Sequence, residues 1–459
     1  MKVLAGVLLA AVTLRAYAAE PYQEYNKRIE SAQTITALTD ELMGDSVSLY
    51  NGATEFRATD ISLPGNNELP VQLSRRFPIT LLVGSSSGSS GNPSYRGAGN
   101  WDIEVPSIST TWAEGTWPNE RCSSPTYPIP TAPLTPLDVW HGNSLHIPGE
   151  GDRKLLTLSV PSIPRPSDGA VWKWTTRERD MVRCIPMKSG LAGEGFLVQT
   201  VDGVKYYFDV ATTRPGGSIS IIWSVYYQVP ITVGRTQYYL LASRIEDRFG
   251  NAVDYTYNSD GYPTKIASTD GRQITLGYAN GRLASAAANG RSWTYGYGAS
   301  GSDDGMLVEV AQPDGSQWGY SHTGSLYEFA ALWDGGSNAN CTGGGPVVPA
   351  SFGITVTHPA GSRGVFTFGN FRHARMGVHA NACSESVSDG QYSYHLLIPT
   401  FSDVMSLGSK TISGPGLADR NWTYHYPFSG KGPLWGTRGG NAPPYPCTTC
   451  VSEKTVTVD

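Results

Sequence analysis

The stretch DRFGNAVDYTYNSDGYPTKI, residues 247–266, decides the fold of this chain. Gly250 stands at a turn, and Val253, Tyr255 and Tyr257 follow it at alternate positions. Alternate residues of a β-strand point to the same face, so the segment predicts a strand with one row of large buried side chains. A second turn, NSDG, sends the chain back through a return strand, which makes the segment a β-hairpin.

The same arrangement recurs further along the chain. Turn glycines at 271, 290 and 315 follow Gly250 at spacings of 21, 19 and 25 residues. The large side chains after these turns form a predicted repeat core: Tyr255, Tyr257, Leu276, Tyr278, Trp293, Tyr295, Tyr297, Trp318 and Tyr320. The predicted repeat turns contain Gly250, Gly261, Gly271, Gly281, Gly290 and Gly315. Because one hairpin buries too little apolar surface to be stable in water, consecutive hairpins are predicted to pair into one continuing antiparallel sheet.

The fifth position after each turn glycine carries the most specific structural prediction. Tyr255, Leu276, Tyr295 and Tyr320 should form one buried row, in which each side chain is covered by its equivalent in the next hairpin. By contrast, Tyr262 lies in a turn and should contribute little to stability.

The composition predicts an all-β fold. Charged residues make up only 16% of the chain, whereas 53 Gly, 31 Pro and 25 Tyr residues favour turns and strands. The net charge is −5 and no long basic run is present, which argues against a general nucleic-acid binder, since such proteins need a basic surface to displace counterions.

The N-terminus predicts export. Lys2 precedes an apolar run that is too short to span a bilayer, and Ala16-Tyr17-Ala18 matches a signal-peptide cleavage site. We therefore expect a periplasmic, secreted or cell-surface protein with no transmembrane segment after cleavage. Apolar residues then recur every three or four positions over 22–43, which predicts a short N-terminal helix.

The cysteine count agrees with an exported protein. An even number of cysteines in such a chain predicts disulfides and leaves their pairing open. The candidates are Cys122, Cys184, Cys341, Cys383, Cys447 and Cys450. The last two form a C-x-x-C that follows a proline-rich segment, so a disulfide in a loop is favoured there over a redox motif at a helix start.

Part of the repeat resembles a known family. YNSDGYPTKI, residues 257–266, is similar to the YD repeat of Rhs proteins, with Asn258 in place of the aspartate, and Gly281-Arg282-Leu283 keeps the end of that motif. The segment SLYNGATEFRATDISLPGNNELPVQLSRRF, residues 48–77, resembles the start of Rhs and toxin-complex B-type shells.

The resemblance implies a spiralling β-sheet that closes into a hollow shell, which in larger members encloses a C-terminal toxin or effector. Four or five repeats form only part of such a shell, so we expect a truncated, open one. The expected segments are a signal peptide at 1–18, a helical segment at 19–45, a β-rich region with Pro/Gly/Ser-rich loops at 46–235, the repeats at 236–325, and further strands at 326–459.

The resemblance favours a non-catalytic structural protein whose partners are the rest of a shell or a toxin cargo. No motif predicts a catalytic, cofactor or metal site, and His373 and His379 lack the spacing of helical metal ligands. One alternative is a cell-surface glycan-binding module, since Trp101, Trp112 and Trp117 could stack on sugar rings, together with Trp140. A second is a hydrolase whose catalytic residues come together only on folding.

Overall fold

The computed structural model describes residues 42–79, 82–84, 96–113, 115–124, 140, 142–159, 163–222, 230–329, 350–374, 384–388, 393–397, 401–426 and 457–458. The chain divides into two compact units, Met1–Leu42 and Met43–Asp459, and all features below lie in the second. The predicted signal peptide, and the predicted helix up to residue 41, lie outside the described residues.

The described residues form β-strands almost throughout, with one short 3-10 helix at Gly301–Asp303. The first strands are β1 (Asp45–Val47), β2 (Thr54–Ser62), β3 (Gln72–Pro78), β4 (Leu82–Gly84), β5 (Gly97–Ala98), β6 (Trp101–Glu104), β7 (Ser107–Ala113), β8 (Ser144–Ile147), β9 (Gly151–Lys154) and β10 (Leu156–Thr157). The next are β11 (Trp172–Thr175), β12 (Met181–Pro186), β13 (Glu194–Gln199), β14 (Lys205–Ile222), β15 (Pro230–Glu246), β16 (Ala252–Tyr257), β17 (Pro263–Ser268), β18 (Gln273–Ala279), β19 (Arg282–Ala288) and β20 (Arg291–Tyr297). The last are β21 (Leu307–Ala311), β22 (Gln317–Gly324), β23 (Tyr327–Phe329), β24 (Ser351–Thr357), β25 (Arg363–Ala374), β26 (Ser384–Ser388), β27 (Ser393–Leu397), β28 (Phe401–Gly414), β29 (Leu417–His425) and β30 (Thr457–Val458).

The predicted all-β, antiparallel architecture is confirmed. From β10 to β22 each strand pairs with the next in sequence, and the sheet then continues through β24, β25, β28, β29 and β30. We call this the long sheet. A smaller five-stranded sheet, in the order β1-β2-β3-β6-β5, is called the N-terminal sheet. Two further strand pairs, β4 with β23 and β26 with β27, stand apart from both sheets.

The long sheet branches at β15. One edge of β15 pairs with β14. Along the other edge, Arg235–Leu241 pairs with β7 and Arg244–Glu246 pairs with β16. Strand β7 continues into β8 and β9, so this branch leads away from the repeats. Residue 236, the predicted start of the repeat region, thus falls inside a strand that belongs to both parts of the sheet.

The repeat strands have one buried and one exposed face. In β16, Val253 and Tyr255 are buried, whereas Asp254 and Thr256, which follow each of them, are exposed. This alternation follows from the two-residue period of a strand. The apolar face is called the inner face below.

The N-terminal sheet packs on the inner face. Phe56 of β2 lies with its ring centroid 4.8 Å from that of Phe366 in β25. Phe77 of β3 lies 6.2 Å from Phe352 in β24. These rings are fully buried, and edge-to-face contacts between them add to the free energy gained by removing them from water. One part of the core therefore lies between the two sheets, and a separate cluster of Trp172, Met181 and Leu197 lies on β11, β12 and β13.

Candidate functional site

The turns of the repeats have the positive φ angles for which glycine is suited. All six predicted turn glycines have positive φ, from 71° at Gly281 to 92° at Gly271. At Asn280-Gly281 and Asn289-Gly290 both residues have positive φ and form the whole connection between two strands. Such two-residue loops match the right-handed twist of a hairpin.

The fifth-position residues are buried on the inner face. The Tyr295 hydroxyl donates a hydrogen bond to Asp60 Oδ2 at 2.9 Å, and the Tyr320 hydroxyl accepts one from Arg75 Nη2 at 2.7 Å. Asp60 and Arg75 belong to the N-terminal sheet. Tyr295 and Tyr320 are therefore covered partly by polar side chains of the N-terminal sheet. The sequence-based prediction had each side chain covered only by its equivalent in the next hairpin.

The seventh-position tyrosines make a hydrogen bond that repeats along the chain. The Tyr257 hydroxyl donates to the Ala242 carbonyl at 2.7 Å, that of Tyr278 to Pro263 at 2.8 Å, and that of Tyr297 to Leu283 at 2.7 Å. Donor and acceptor lie 15, 15 and 14 residues apart. Tyr257, Tyr278 and Tyr297 are called the tyrosine ladder here. Each contributes about 1 kcal/mol through this bond.

A β-bulge lies directly before each tyrosine of the ladder. In all three units the strand register shifts just before the ladder tyrosine: between Thr256 and Tyr257, Gly277 and Tyr278, and Gly296 and Tyr297. Bulges interrupt the regular ladder of backbone hydrogen bonds. The residues paired with Tyr257 and Tyr278 are Pro263 and Leu283, whose carbonyls accept from the tyrosine of the next unit. The ladder tyrosine therefore ties each hairpin to the bulge of the previous one.

The ladder hydroxyls remain protonated donors. Burial is the largest cause that raises the pKa of Tyr257, Tyr278 and Tyr297 above the ordinary tyrosine value. The fourth unit carries His322 at the seventh position, and its strand pairs with β24 without a register shift. The bulge and the ladder therefore end together.

Three aromatic residues of the repeats lie outside the fifth and seventh positions. Trp293 and Trp318 are partly buried at the third position. The Tyr262 ring stacks on Tyr278 with 5.7 Å between centroids, and the Arg214 guanidinium lies 4.9 Å from it. The expectation that Tyr262 contributes little to stability did not include these contacts.

Arg75 and Asp60 form a buried ion pair at the centre of the joint between the sheets. Arg75 Nε lies 3.0 Å from Asp60 Oδ2, and both side chains are at most 2% exposed. The guanidinium stands 4.4 Å above the Trp101 ring. Burial raises the pKa of Tyr320, beside this pair, to about 12. A buried pair of this kind tolerates loss of one partner poorly, because the other charge is left uncompensated.

Arg272 holds the loop between β2 and β3. Its Nη1 donates to the carbonyls of Leu63 at 3.0 Å and Leu69 at 3.2 Å, and its Nη2 donates to Asn67 Oδ1 at 3.0 Å. Its Nε hydrogen bonds to Asp270, and these bonds lower the pKa of that carboxyl to about 2. Arg272 therefore attaches the second repeat to the loop that follows the C-terminal end of β2.

The turn before β2 docks at the opposite side, on β28. Leu407 N donates to the Gly52 carbonyl at 2.9 Å, and the Ser406 hydroxyl donates to the Asn51 carbonyl at 2.6 Å. A Cβ at Gly52 would stand 2.0 Å from Tyr426 Oη. Strand β2 therefore crosses the hairpins from β28 and β29 to β17 and β18.

One serine and histidine pair lies beside this turn. His373 Nε2 and Ser406 Oγ are 2.8 Å apart, but the residues are 2% and 0% exposed. A substrate cannot reach these atoms in this conformation, so the pair serves the packing of the turn. His379 lies outside the described residues.

Cys122 and Cys184 form a disulfide that joins the segment after β7 to β12. Cys341, Cys383, Cys447 and Cys450 lie outside the described residues. Glu194 approaches the two sulfur atoms, but its carboxylate accepts hydrogen bonds from the backbone N–H groups of Cys122 and Ser123, and sulfurs in a disulfide are not thiolate ligands.

The four tryptophans considered for sugar stacking are buried: Trp101, Trp112, Trp117 and Trp140. They offer no open aromatic face in this conformation. Among the described residues, no helix is both long and apolar enough to cross a membrane.

Sequence reasoning missed the contribution of the N-terminal sheet. A signal for it exists, because Leu73, Arg75 and Phe77 alternate along β3 and Arg75 occupies a position of the buried row. A charge in such a row requires a buried partner.

No protein-family model and no curated protein matches the chain. Among solved structures, the chain is similar to one in the crystal structure of TcdB2-TccC3-Cdc42, with a TM-score of 0.29 and 11% sequence identity. The match covers 82% of this chain and 20% of that chain, so the protein spans about a fifth of the length of that relative.

Proposed function

We propose that the chain is a non-catalytic structural protein that forms part of an exported Rhs-type β-shell. The observation that carries this proposal is the repeated tie between hairpins, in which each ladder tyrosine donates to the bulge carbonyl of the preceding unit. This arrangement extends a sheet by addition of identical steps, which is what a wall requires.

The N-terminal sheet supports the same role. Its contacts reach from Arg272 in the second repeat to Ser406 in β28, so one sheet spans many hairpins and fixes their relative positions. Because it covers Tyr295 and Tyr320 on the inner face, a toxin or effector cargo would contact other parts of the shell.

Export is part of the proposal. A signal peptide would deliver the chain to an oxidising compartment, where the Cys122–Cys184 disulfide is stable. The partners are then the rest of the shell and its cargo. The burial of the four tryptophans does not favour the glycan-binding alternative.

The test is the size of the particle that contains the chain. Purified gently from cells that secrete it, the chain should elute in an assembly much larger than its own 49.3 kDa. A variant with Tyr278→Phe and Tyr297→Phe, which removes two bonds within the chain, should still enter the assembly but unfold at lower urea concentration, while Ser292→Ala on the exposed face should unfold like the wild type. A monomer that binds sugars on a glycan array, or that hydrolyses a substrate, would contradict the proposal.

A further inference from the structure

A cluster of charged side chains joins the N-terminal sheet to the hairpin of β8 and β9. His146 lies on β8 and Asp152 faces it on β9. Glu104 comes from β6, Arg57 from β2 and Arg76 from β3. This cluster, named here the His146 clasp, lies away from the tyrosine ladder and has no part in the ties described above.

The imidazole of His146 stands between two carboxylates. Its Nδ1 lies 2.8 Å from Asp152 Oδ1, and its Nε2 lies 3.4 Å from Glu104 Oε1. A neutral imidazole carries one N–H and can donate to only one of them, whereas an imidazolium can donate to both. The Glu104 side chain is 3% exposed, so an ionised carboxylate there needs positive neighbours.

The other charged groups around the clasp do not supply enough positive charge. Arg57 Nη1 lies 3.4 Å from Glu104 Oε1, and Arg76 Nη1 lies 3.9 Å from Asp152 Oδ2. Both arginines also pair with Glu55 on β2. Asp102, the buried neighbour of Arg76 across β3 and β6, adds a further carboxyl group. Arg96 acts on Asp102 from its other side, so four carboxyl groups face three arginines, and protonated His146 would balance the charges.

Burial alone would lower the pKa of His146, but its hydrogen bond to Asp152 and the adjacent Glu104 outweigh it and raise that pKa above its ordinary value. A group whose pKa rises on folding stabilises the fold below its unfolded pKa, about 6.5 for histidine, and this stabilisation is lost as pH rises through the folded pKa.

We propose that the His146 clasp is a pH-dependent contact. It holds the β8–β9 hairpin against the N-terminal sheet at low pH, when His146 is protonated, and weakens as the pH rises. The proposal goes beyond a structural role for the repeats and does not depend on it. It gives the protein a means to change the attachment of one hairpin with the pH of its surroundings, while the repeats keep their structure.

Hydrogen exchange of the whole purified chain at pH 5.5 and pH 8, corrected for intrinsic exchange rates, tests the proposal. Peptides covering β8 and β9 should be better protected at pH 5.5, by about tenfold for each unit by which folding raises the pKa. Peptides from β17 and β18, which contain no histidine, should show equal protection at the two pH values.

Two variants identify the group. His146→Gln cannot gain a proton and should abolish the pH dependence of β8 and β9. Asp152→Asn should reduce it, and because the Asp152 side chain is 55% exposed this substitution should leave the fold intact. Equal protection of the wild-type hairpin at both pH values, or weaker protection in acid, would overturn the proposal, as would an unchanged pH dependence in His146→Gln.

Discussion

The hairpin repeats and the N-terminal sheet are held in opposite ways. In the repeats, each tie joins a tyrosine to a backbone carbonyl 14 or 15 residues away. Between the N-terminal segment and the hairpins, side chains meet partners 203 to 365 residues away, as Arg272 does with Leu69 and Lys410 with Asp45. The first kind of contact gives local order to each unit, and the second fixes many units at once.

The comparison predicts the largest effect for the Arg75–Asp60 pair of the N-terminal sheet, because its two members bond Tyr320 and Tyr295 of the repeats, 245 and 235 residues away. Arg75→Met removes the charge that neutralises Asp60 and should lower the free energy of unfolding by about 3–5 kcal/mol. Urea melts measure this loss. The control is Arg291→Met, on an exposed position of the repeats, which should cost less than about 0.5 kcal/mol. An Arg75→Met loss as small as that of the control would show that the sheets are held by their apolar contacts alone.

High pH should weaken the repeats through their buried tyrosines. The pKa of each ladder tyrosine is raised on folding, so the folded chain binds more protons than the unfolded chain above about pH 10. Stability should therefore fall with rising pH there, by about 1.4 kcal/mol per pH unit for each such tyrosine. Urea midpoints between pH 8 and 11, with tyrosine ionisation followed by absorbance, check this. Ionisation of these tyrosines before unfolding would contradict it.

Two glycines with nearly the same φ allow contacts to a distant strand to be compared with a local turn. Gly52, with φ of 69°, lies against Tyr426, whereas Gly281, with φ of 71°, has open space around its Cβ position. Gly52→Ala should therefore destabilise the protein more than Gly281→Ala, by about 1–3 kcal/mol, because only the first creates a clash. Thermal melts of the two variants measure the difference. Equal losses would mean that the turn before β2 can move off β28.

A single step of the ladder should have the smallest effect. Tyr278→Phe leaves the Pro263 carbonyl without this donor and should cost about 1 kcal/mol. The loss should appear as faster hydrogen exchange in β17 and β18, with little change in β12 and β13, since each hairpin depends mainly on its neighbours. Ser292→Ala on the outer face is the matched control. Uniform loss of protection across the long sheet would argue against a stepwise ladder.

The repeats could be predicted from sequence because their determinants are local. The turn glycines, the alternation around Tyr255 and the paired return strands all lie within about twenty residues of each other, and their strand and turn propensities agree. The bulge before Tyr278 was not predicted, although a glycine inside a strand often marks a bulge and Gly277 stands at this one, because Thr256 at the equivalent place in the first repeat gives no such signal. The tyrosine hydroxyl bond follows from that bulge and was missed with it.

The joint between the sheets could not be derived from sequence in the same way. Arg75 in an otherwise apolar row indicates a buried charge, and Asp60 lies only 15 residues away on the paired strand β2, but nothing near Arg75 in sequence names Tyr320, 245 residues away, as a further partner. The sequence therefore predicts the hairpins that form the sheet, and the resemblance predicts a role in a shell. The packing of β2 across the hairpins is seen only in the three-dimensional structure.

The N-terminal sheet fixes many repeats at once, and hydrogen exchange of Arg75→Met tests this role most directly. Strands β20, β22, β24 and β25, which contact β2 and β3 through Tyr295, Tyr320, Phe352 and Phe366, should lose protection together, while β12 and β13 should not. Loss of protection confined to β2 and β3, with the repeats unchanged, would contradict the account.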